Sequence, residues 1–531
     1  MLPALLNRSF LLISILLICL FSARAQTKTE VIPAGSYALN LGVTPQTKSN
    51  ALKPYGFLYQ LLKENQVEVK WVINPEKKKD GIDFSMGGQD FRSGSFIIPV
   101  SYITPKVREL IEKWEAKGVL GMYLPENRSL PVYTELSVVP KWTLDKQNGS
   151  IALSFFKAAA IPSEAYGGNS PEHWKTPAEL DICDDIFVMP HAEPKFDSHQ
   201  NLYYWNTKFK GAIWAGCHAG SMLENLHGTG RNGEKIIQLN FLSAGAAGAR
   251  TTGLIPYYEH RYATPPYQNQ LASDPVAQYI GKSDQAMING SERIFYPKKA
   301  NAWRKETRQI LIDTTTPDIP ELSSGPGCVV IYGHAFDESK NGLVMYQASH
   351  DISGDAPQNI AALRMFLNYS FYATEIKRRE NIIQFQNIRG DRIFAARVGD
   401  DLAKMLKLDP IVFDLDKAVI KSKAAKELDE IAAYMVEYPE LLLDIRSHTD
   451  SRADDVYNIR LSEDRVKATR NYLIEKGVDS LRISGRGYGE NEPVNNCRNG
   501  VPCSEADHER NRRSEFILSI NCDLYEGKIK L

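Results

Sequence analysis

Two residues of opposite charge, Asp450 and Arg465, are separated by about fifteen positions in the sequence near the C-terminus of this 531-residue chain. Asp450 follows the alternating segment 441–448, which predicts a half-buried strand. Leu461, Arg465 and Ala468 share one face of the helix that is predicted next. Because a half-buried guanidinium needs a partner, two interpretations are open. One is an internal ion pair between Asp450 and Arg465, and the other is a receptor for a zwitterion, whose ammonium would bind the Asp and whose carboxylate would bind the Arg.

A second candidate for chemistry is Cys217, in the segment GAIWAGCHAGSMLENL (211–226). This segment predicts a strand, a tight turn of small residues and a helix, which is how α/β folds expose a nucleophile. A helix N-terminus would also lower the pKa of the thiol. His350 or His218 could act as the base, with Asp351 as an orienting acid. The alternative is a domain that keeps this fold but has no catalytic activity, with Cys217 buried or in a disulfide.

A third candidate is the polar segment PHAEPKFDSHQN (190–201), which contains His191, Asp197 and His199. Imidazoles and carboxylates bind zinc, so a zinc site is a hypothesis, with His218 or His350 as a further ligand. The spacing matches no established metal motif, and an ordinary polar loop is the alternative. No other cofactor is predicted.

The N-terminus predicts export. Arg8 precedes the apolar segment FLLISILLICLF, and ARA before Gln26 fits a signal peptide that is cleaved after Ala25. Cys19 offers the alternative of a lipoprotein, but bulky Ile18 stands where lipoprotein signals have a small residue. The predicted location is the periplasm.

An exported chain meets oxidants, so its cysteines are candidates for disulfides. Cys497 and Cys503 close the short polar loop CRNGVPC and are predicted to pair. The pairing of the other cysteines of the mature chain stays open; they are Cys183, Cys217, Cys328 and Cys522.

Composition excludes some classes of function. The chain is 43% apolar and 24% charged with a net charge of -1, which is typical of a globular protein. Nucleic-acid binding is not predicted, because it normally requires a basic surface.

Two folded domains are predicted. Short apolar segments alternate with amphipathic helices in the first, which favours an α/β fold with a largely parallel sheet. One such helix begins after Thr104 and ends at Gly118. The second domain combines strands, the first at 410–415, with two longer helices, which predicts an α+β fold. The predicted division is a signal peptide (1–25), an α/β domain (26–376), a linker (377–400), an α+β domain (401–524) and a tail (525–531).

The second domain resembles the OmpA-like C-terminal domain, a family that binds peptidoglycan. The similarity lies in FDLDKAVI, the TD pair at 449–450, YN at 457–458, LSEDRVKATRNYL, SGRGYGENEP and NRRSEF, in this order. The insertion CRNGVPCSEADHE resembles the form found in Bacteroidota members. The resemblance implies that Asp450 and Arg465 hold the diaminopimelate of the stem peptide, with Thr449, Asn458 and Arg513 in support.

The segment around Cys217 resembles class I glutamine-amidotransferase-like domains, which are flavodoxin-like, and its CH pair resembles their intracellular-protease-like branch. Two departures put the activity in doubt. Ser221 stands where the amidotransferase pattern has Gln, and His350 is followed directly by Asp351.

Together these features predict a periplasmic protein that is tethered to the cell wall and associated with the outer membrane. The N-terminal domain is predicted to be an interaction module for an outer-membrane complex rather than an enzyme. The alternatives are a wall-anchored amidase or hydrolase with Cys217 as nucleophile, and a metal-dependent hydrolase.

Overall fold

A computed structural model describes residues 28–65, 67–230, 236–244, 253–259, 265–283, 292–299, 302–314, 322–350, 352, 354–380, 382–386, 393–397, 400–411, 413, 416–439 and 441–520. The predicted signal peptide, Asp351, Cys522 and the predicted tail lie outside the described residues. None of the helices within these ranges is both long enough and apolar enough to cross a membrane.

The first part of the N-terminal domain contains an antiparallel sheet. Its elements are β1 (Lys28–Ile32), β2 (Tyr37–Leu39), α1 (Lys53–Asn65), β3 (Val69–Val72), β4 (Ile82–Met86), β5 (Gln89–Arg92), β6 (Ser95–Ile98), α2 (Pro105–Glu115), β7 (Gly121–Tyr123) and β8 (Arg128–Leu136). Six of the strands pair in the order β1-β8-β3-β6-β2-β7, with antiparallel neighbours throughout. The prediction of a largely parallel sheet is wrong here, because short apolar segments do not reveal the direction in which strands pair.

The predicted helix after Thr104 is confirmed as α2. The Thr104 hydroxyl accepts a hydrogen bond from the Val107 amide at 3.2 Å, and Pro105 occupies the first helical position. Gly118 follows with a φ of 85°, a left-handed conformation that glycine adopts readily at the end of a helix. The helix therefore begins and ends at the residues that favour those positions.

The second part of the N-terminal domain contains the predicted parallel strands. Its elements are β9 (Trp142–Leu144), α3 (Leu153–Ala159), β10 (Ile186–Met189), α4 (Phe196–His199), α5 (Asn201–Phe209), β11 (Ala212–Gly216), α6 (Ala219–Glu224), β12 (His227–Thr229), β13 (Ile236–Gln238), β14 (Ser243–Ala244), β15 (Tyr267–Asn269), β16 (Ala302–Trp303), β17 (Arg308–Asp313), β18 (Gly327–His334), β19 (Leu343–Gln347) and α7 (Pro357–Glu380). A seven-stranded sheet has the order β15-β17-β18-β19-β11-β10-β9.

Strands β9, β10, β11 and β19 of this sheet are parallel, whereas β18, β17 and β15 continue it with antiparallel pairing. Every residue of β10, β11 and β19 is buried. Helix α7 packs against the sheet, and the Tyr369 hydroxyl donates to the carbonyls of Ile213 and Leu343 at 2.9 Å. Parallel strands that are buried on both faces read as continuous apolar segments, which is why the sequence revealed them.

The C-terminal domain has its own apolar core. Before and within it lie β20 (Ile382–Gln386), β21 (Ile393–Arg397), α8 (Leu402–Leu406), α9 (Ser422–Glu437), β22 (Leu441–His448), α10 (Asp455–Glu475), β23 (Ile483–Gly489), α11 (Glu505–Asn511) and β24 (Ser514–Ile520). Strands β20 and β21 form an antiparallel hairpin inside the predicted linker. The main sheet has the order β23-β22-β24, with β22 parallel to β23 and antiparallel to β24.

The strand predicted at 410–415 is absent from the described part of that segment. Ile411 and Phe413 are buried in the C-terminal core but belong to no strand. The other apolar residues of the segment, at 412 and 415, lie outside the described residues. At the described positions the apolar pattern therefore predicted burial correctly, whereas no strand is found there, because periodicity alone does not distinguish a strand from another buried segment over so few residues.

Arg364 on α7 connects this helix to the loop between β2 and α1. Its side chain is buried, and its guanidinium donates to the carbonyls of Leu41, Gln46 and Ala51. We expect Arg364→Leu to lower the free energy of unfolding by about 2–4 kcal/mol, because three buried carbonyls lose their donor. Urea unfolding measures the difference. The control is Arg128→Leu, which changes an exposed side chain and should shift stability by less than about 0.5 kcal/mol. Equal losses in the two variants would contradict this assignment.

Candidate functional site

A cleft of ≈ 600 Å³ opens at the end of β22 in the C-terminal domain. Its walls come from the loop after β22, from α10 and from the residue that follows α11. The lining residues are Asp416, Thr449, Asp450, Arg452, Ala453, Asp454, Tyr457, Asn458, Leu461, Arg465 and Arg512. Four residues that the sequence predicted for binding are among them: Thr449, Asp450, Asn458 and Arg465.

Asp450 is surrounded by hydrogen-bond donors. Its side chain is 6% exposed, and its Oδ2 accepts from Arg452 Nη2 and Arg512 Nη1, each at 2.7 Å. Its Oδ1 accepts from the backbone N and the Nε of Arg452, each at 3.2 Å. Burial by itself would raise the pKa of Asp450, but the hydrogen bonds from Arg452 and Arg512 outweigh it and lower that pKa to about 2. Asp450 is therefore an anion at every physiological pH.

Arg465 lies on the inner face of α10 and is fully buried. Its Nε donates to the Lys417 carbonyl at 3.0 Å, and its Nη1 donates to the His448 carbonyl at 3.2 Å. The guanidinium carbon lies 5.0 Å from the centre of the Phe413 ring. Burial and the nearby charge of Arg512 lower the pKa of Arg465 to about 10, so the side chain remains a cation at neutral pH.

Asp450 and Arg465 line the same cleft but do not form the internal ion pair that their spacing allowed. Among the described residues, the ion pairs of Asp450 go to Arg452 and Arg512. The sequence predicted neither of these two arginines. Arg452 lies two residues after Asp450, where a turn brings its side chain back onto the carboxylate, and this reversal leaves no periodic signal in the sequence.

Arg513, which was predicted to support the site, lies outside the cleft. Its guanidinium donates to Glu515 Oε1 at 2.8 Å and to the Glu492 carbonyl at 3.1 Å. Its neighbour Arg512 faces Asp450 instead. Adjacent residues at the start of a strand point to opposite sides, so the motif NRRSEF supplies one arginine to the cleft but does not reveal which.

Two predicted polar residues complete the cleft. The Asn458 amide donates to the Ala453 carbonyl at 3.2 Å and to Glu490. The Thr449 amide donates to the Gly489 carbonyl at 2.8 Å, whereas its buried Oγ1 has no hydrogen-bond partner within the described ranges. A buried hydroxyl that faces a cleft can bond a ligand that enters it.

The predicted disulfide between Cys497 and Cys503 is present. It closes the loop that leads into α11, and the Ser451 hydroxyl donates to the Cys497 carbonyl at 3.3 Å. Glu505 on α11 accepts from Arg512 Nη2 and from Arg452 Nη1, each at 2.8 Å. The disulfide loop therefore positions a carboxylate that holds both arginines next to Asp450.

In the N-terminal domain, Cys217, His218 and His350 were predicted as catalytic, and they lie at one edge of the parallel sheet together with His191, which was predicted as a metal ligand. His191 follows β10, Cys217 and His218 follow β11, and His350 follows β19. Because these three strands are parallel neighbours, their carboxyl ends meet at the same edge. The ring of His191 lies 4.2 Å from the ring of His218 and 4.6 Å from that of His350, centre to centre.

Cys217 occupies the turn between β11 and α6 with a φ of 50°. This left-handed backbone is uncommon for a residue other than glycine and is concentrated at functional sites. Its sulfur is buried, lies 3.7 Å from His218 Nδ1 and accepts a hydrogen bond from the Glu292 amide at 3.2 Å. Burial and repulsion by His191 and His350 lower the pKa of His218 to about 4, so this imidazole is neutral at neutral pH.

The structure does not bring together His191, Asp197 and His199, the residues predicted to bind zinc. Asp197 is exposed, and the ring of His199 turns back onto the start of α4, where Lys195 N donates to its Nδ1 at 3.1 Å. A short helix that begins between the two histidines therefore separates them.

The remaining cysteines differ in state. Cys217 and Cys328 are thiols. Cys183 is disulfide-bonded, and none of the other described cysteines is its partner.

Comparisons with known proteins agree with the C-terminal geometry. Residues 412–506 match the OmpA family. The chain is 35% identical over 105 residues to outer membrane porin F of Pseudomonas fluorescens. The aligned residues cover 20% of this chain and 31% of the porin. It is 34% identical over 110 residues to the peptidoglycan-associated lipoprotein of Rhizobium meliloti. The aligned residues cover 21% of this chain and 60% of the lipoprotein.

Among solved structures, the peptidoglycan-associated lipoprotein from Burkholderia pseudomallei aligns with a TM-score of 0.20 and 25% identity, over 22% of this chain and 92% of that one. The chain spans less than two thirds of the length of each of the two relatives named above, the porin and the Rhizobium meliloti lipoprotein. The family match covers all of β22, the loop after it, all of α10 and the disulfide loop, which carry most of the cleft. The C-terminal part of the chain is an OmpA-like domain.

Proposed function

We propose that this protein is a cell-wall tether of the bacterial envelope, whose OmpA-like domain binds the diaminopimelate of peptidoglycan stem peptides. The observation that carries the proposal is the cleft at the end of β22. A carboxylate, Asp450, and a guanidinium, Arg465, line this cleft without pairing with each other. The name of the Rhizobium meliloti relative, a peptidoglycan-associated lipoprotein, supports peptidoglycan as the binding partner.

Diaminopimelate fits this pair of charges because one of its carbons carries both an ammonium and a carboxylate. In the proposed complex the ammonium binds Asp450, and the carboxylate binds Arg465 through charge-assisted hydrogen bonds. The Thr449 hydroxyl supplies a further hydrogen bond. Hydrogen bonds that involve charged groups are stronger than neutral ones, so a small zwitterion gains affinity from few contacts.

We also propose the wider setting in which the tether acts. The protein is exported, loses its signal peptide after Ala25 and resides in the periplasm in association with the wall and the outer membrane. Its N-terminal domain is a flavodoxin-like, amidotransferase-like module that contacts an outer-membrane complex. The strand–turn–helix at Cys217, with its left-handed backbone, supports this assignment of the fold.

Binding to isolated peptidoglycan tests the clamp. We expect Asp450→Asn and Arg465→Met each to weaken co-sedimentation by at least about 30-fold, because loss of one partner of a desolvated charge pair costs about 2–5 kcal/mol. Arg513→Met is the matched control, because this side chain lies outside the cleft, and it should sediment like the wild type. Circular dichroism confirms that each variant is folded. Normal binding by the Asp450 and Arg465 variants, or an equal loss in the Arg513 variant, would overturn the proposal.

Arg452 competes with the ligand for Asp450. Three of the four hydrogen bonds to this carboxylate come from Arg452, whose side chain is 35% exposed. The ammonium must displace the guanidinium, so we expect Arg452→Ala to bind a diaminopimelate-containing stem peptide more tightly than the wild type in calorimetry. Arg512→Ala is the comparison, and it should not gain affinity, because Arg512 is the buried residue that holds Asp450 in place. Weaker binding by Arg452→Ala would mean that Arg452 contacts the ligand itself.

The charge on Asp450 also predicts how the stability of the domain depends on pH. A carboxyl whose pKa is lower in the folded state stabilises that state above its unfolded pKa, and this stabilisation is lost as the pH falls through the folded value. Wild-type stability should therefore fall as the pH decreases from 3.8 towards 2, and Asp450→Asn should lose less over the same interval. Urea unfolding at several pH values measures both. Identical pH profiles would contradict the lowered pKa.

A further inference from the structure

The carboxyl edge of the parallel strands in the N-terminal domain gathers one thiol and three imidazoles. They are Cys217, His191, His218 and His350, and the peptidoglycan cleft uses none of them. We propose that Cys217 Sγ and the imidazoles of His191 and His218 bind a transition-metal ion of the zinc class at this edge. The proposal does not depend on wall binding, since the two sites lie on different domains.

The spacing of the three ligands suits a metal ion. One ligand atom from each residue lies within 4.8 Å of the other two, and Cys217 Sγ is 3.7 Å from His218 Nδ1. Tetrahedral zinc holds sulfur at about 2.3 Å and nitrogen at about 2.0 Å, which places neighbouring ligand atoms roughly 3.3–3.6 Å apart. Small rotations of the side chains therefore close the coordination sphere.

The chemistry of the ligands selects the class of ion. One thiolate and two imidazoles suit zinc and its neighbours in the first transition row, and they do not suit magnesium or calcium, which prefer oxygen ligands. A neutral imidazole nitrogen and a thiolate sulfur each bind such an ion through a lone pair.

An independent observation at His191 also indicates a ligand. Its Nδ1 is buried and has no hydrogen-bond partner among the described residues. Buried polar nitrogens in folded proteins are nearly always satisfied, so one left without a protein partner points to a bound group. Three protein ligands leave one position of a tetrahedral ion open, as in catalytic zinc sites, and the ring of His350 lies next to His191.

A metal ligand explains Cys217 better than an unmodified nucleophile does. The residue is 0% exposed, so an organic substrate could not reach its sulfur without rearrangement, whereas a metal ion requires much less space. A thiolate bound to zinc would also be less prone to oxidation in the oxidising compartment that the export signal predicts. The Glu292 amide, which donates to the sulfur, is the kind of second contact that orients metal ligands.

Titration of the full mature chain with Co²⁺, an optical probe for zinc sites, tests the proposal. We expect a thiolate-to-cobalt charge-transfer band that saturates at one ion per chain and disappears when Zn²⁺ is added. Cys217→Ser should abolish the band. His191→Ala should weaken Co²⁺ binding by at least about 100-fold, since loss of second-shell contacts alone costs 10–100-fold.

Two matched controls separate ligation from general damage to the fold. Cys328→Ser changes the other buried thiol of the described chain, and His199→Ala changes a buried histidine close in sequence to His191. Both variants should keep the band and its affinity. The proposal is overturned if the wild type gives no band, if the band survives in Cys217→Ser, or if the control variants lose it equally.

Discussion

The buried charge of Arg465 is the constraint on which the C-terminal domain depends. A guanidinium removed from water costs several kcal/mol unless the protein solvates it. Here the carbonyls of Lys417 and His448 accept its hydrogen bonds, and the ring of Phe413 lies against it. Asp450 forms no ion pair with it, because two other arginines hold that carboxylate. The domain therefore maintains a cation and an anion side by side in one cleft, which is the arrangement that a zwitterion requires.

The arginines around Asp450 satisfy the hydrogen bonds of its carboxylate when the cleft holds no ligand. A carboxylate has about four lone-pair positions, and Arg452 and Arg512 fill them with four hydrogen bonds. Arg512 is buried, whereas Arg452 is partly exposed, so only Arg452 can leave easily when a ligand arrives. Glu505, positioned by the disulfide loop, holds both side chains and offers Arg452 an alternative partner. Displacement of Arg452 would thus exchange one ion pair for another rather than expose a bare charge.

The sequence revealed the features that depend on local periodicity. Alternation predicted β22, and helical spacing placed Arg465 on the buried face of α10. Features that depend on pairing between distant segments were not predictable. The order of the seven-stranded sheet makes β11 a neighbour of both β10 and β19, and this order places His191 beside Cys217 and His350. Nearness in sequence suggested His199 as the partner of His191, but the start of α4 turns its ring away.

A comparison of the affinities for two stem peptides tests most directly whether Asp450 and Arg465 bind the two charged groups of one zwitterion. The peptides differ only in carrying diaminopimelate or lysine, so the second lacks the carboxylate that Arg465 is proposed to bind. Calorimetry of wild type and Arg465→Met with both peptides yields the coupling free energy between this side chain and that carboxylate. We expect the wild type to prefer diaminopimelate and Arg465→Met to bind the two peptides equally weakly. The same preference in both proteins would contradict the clamp.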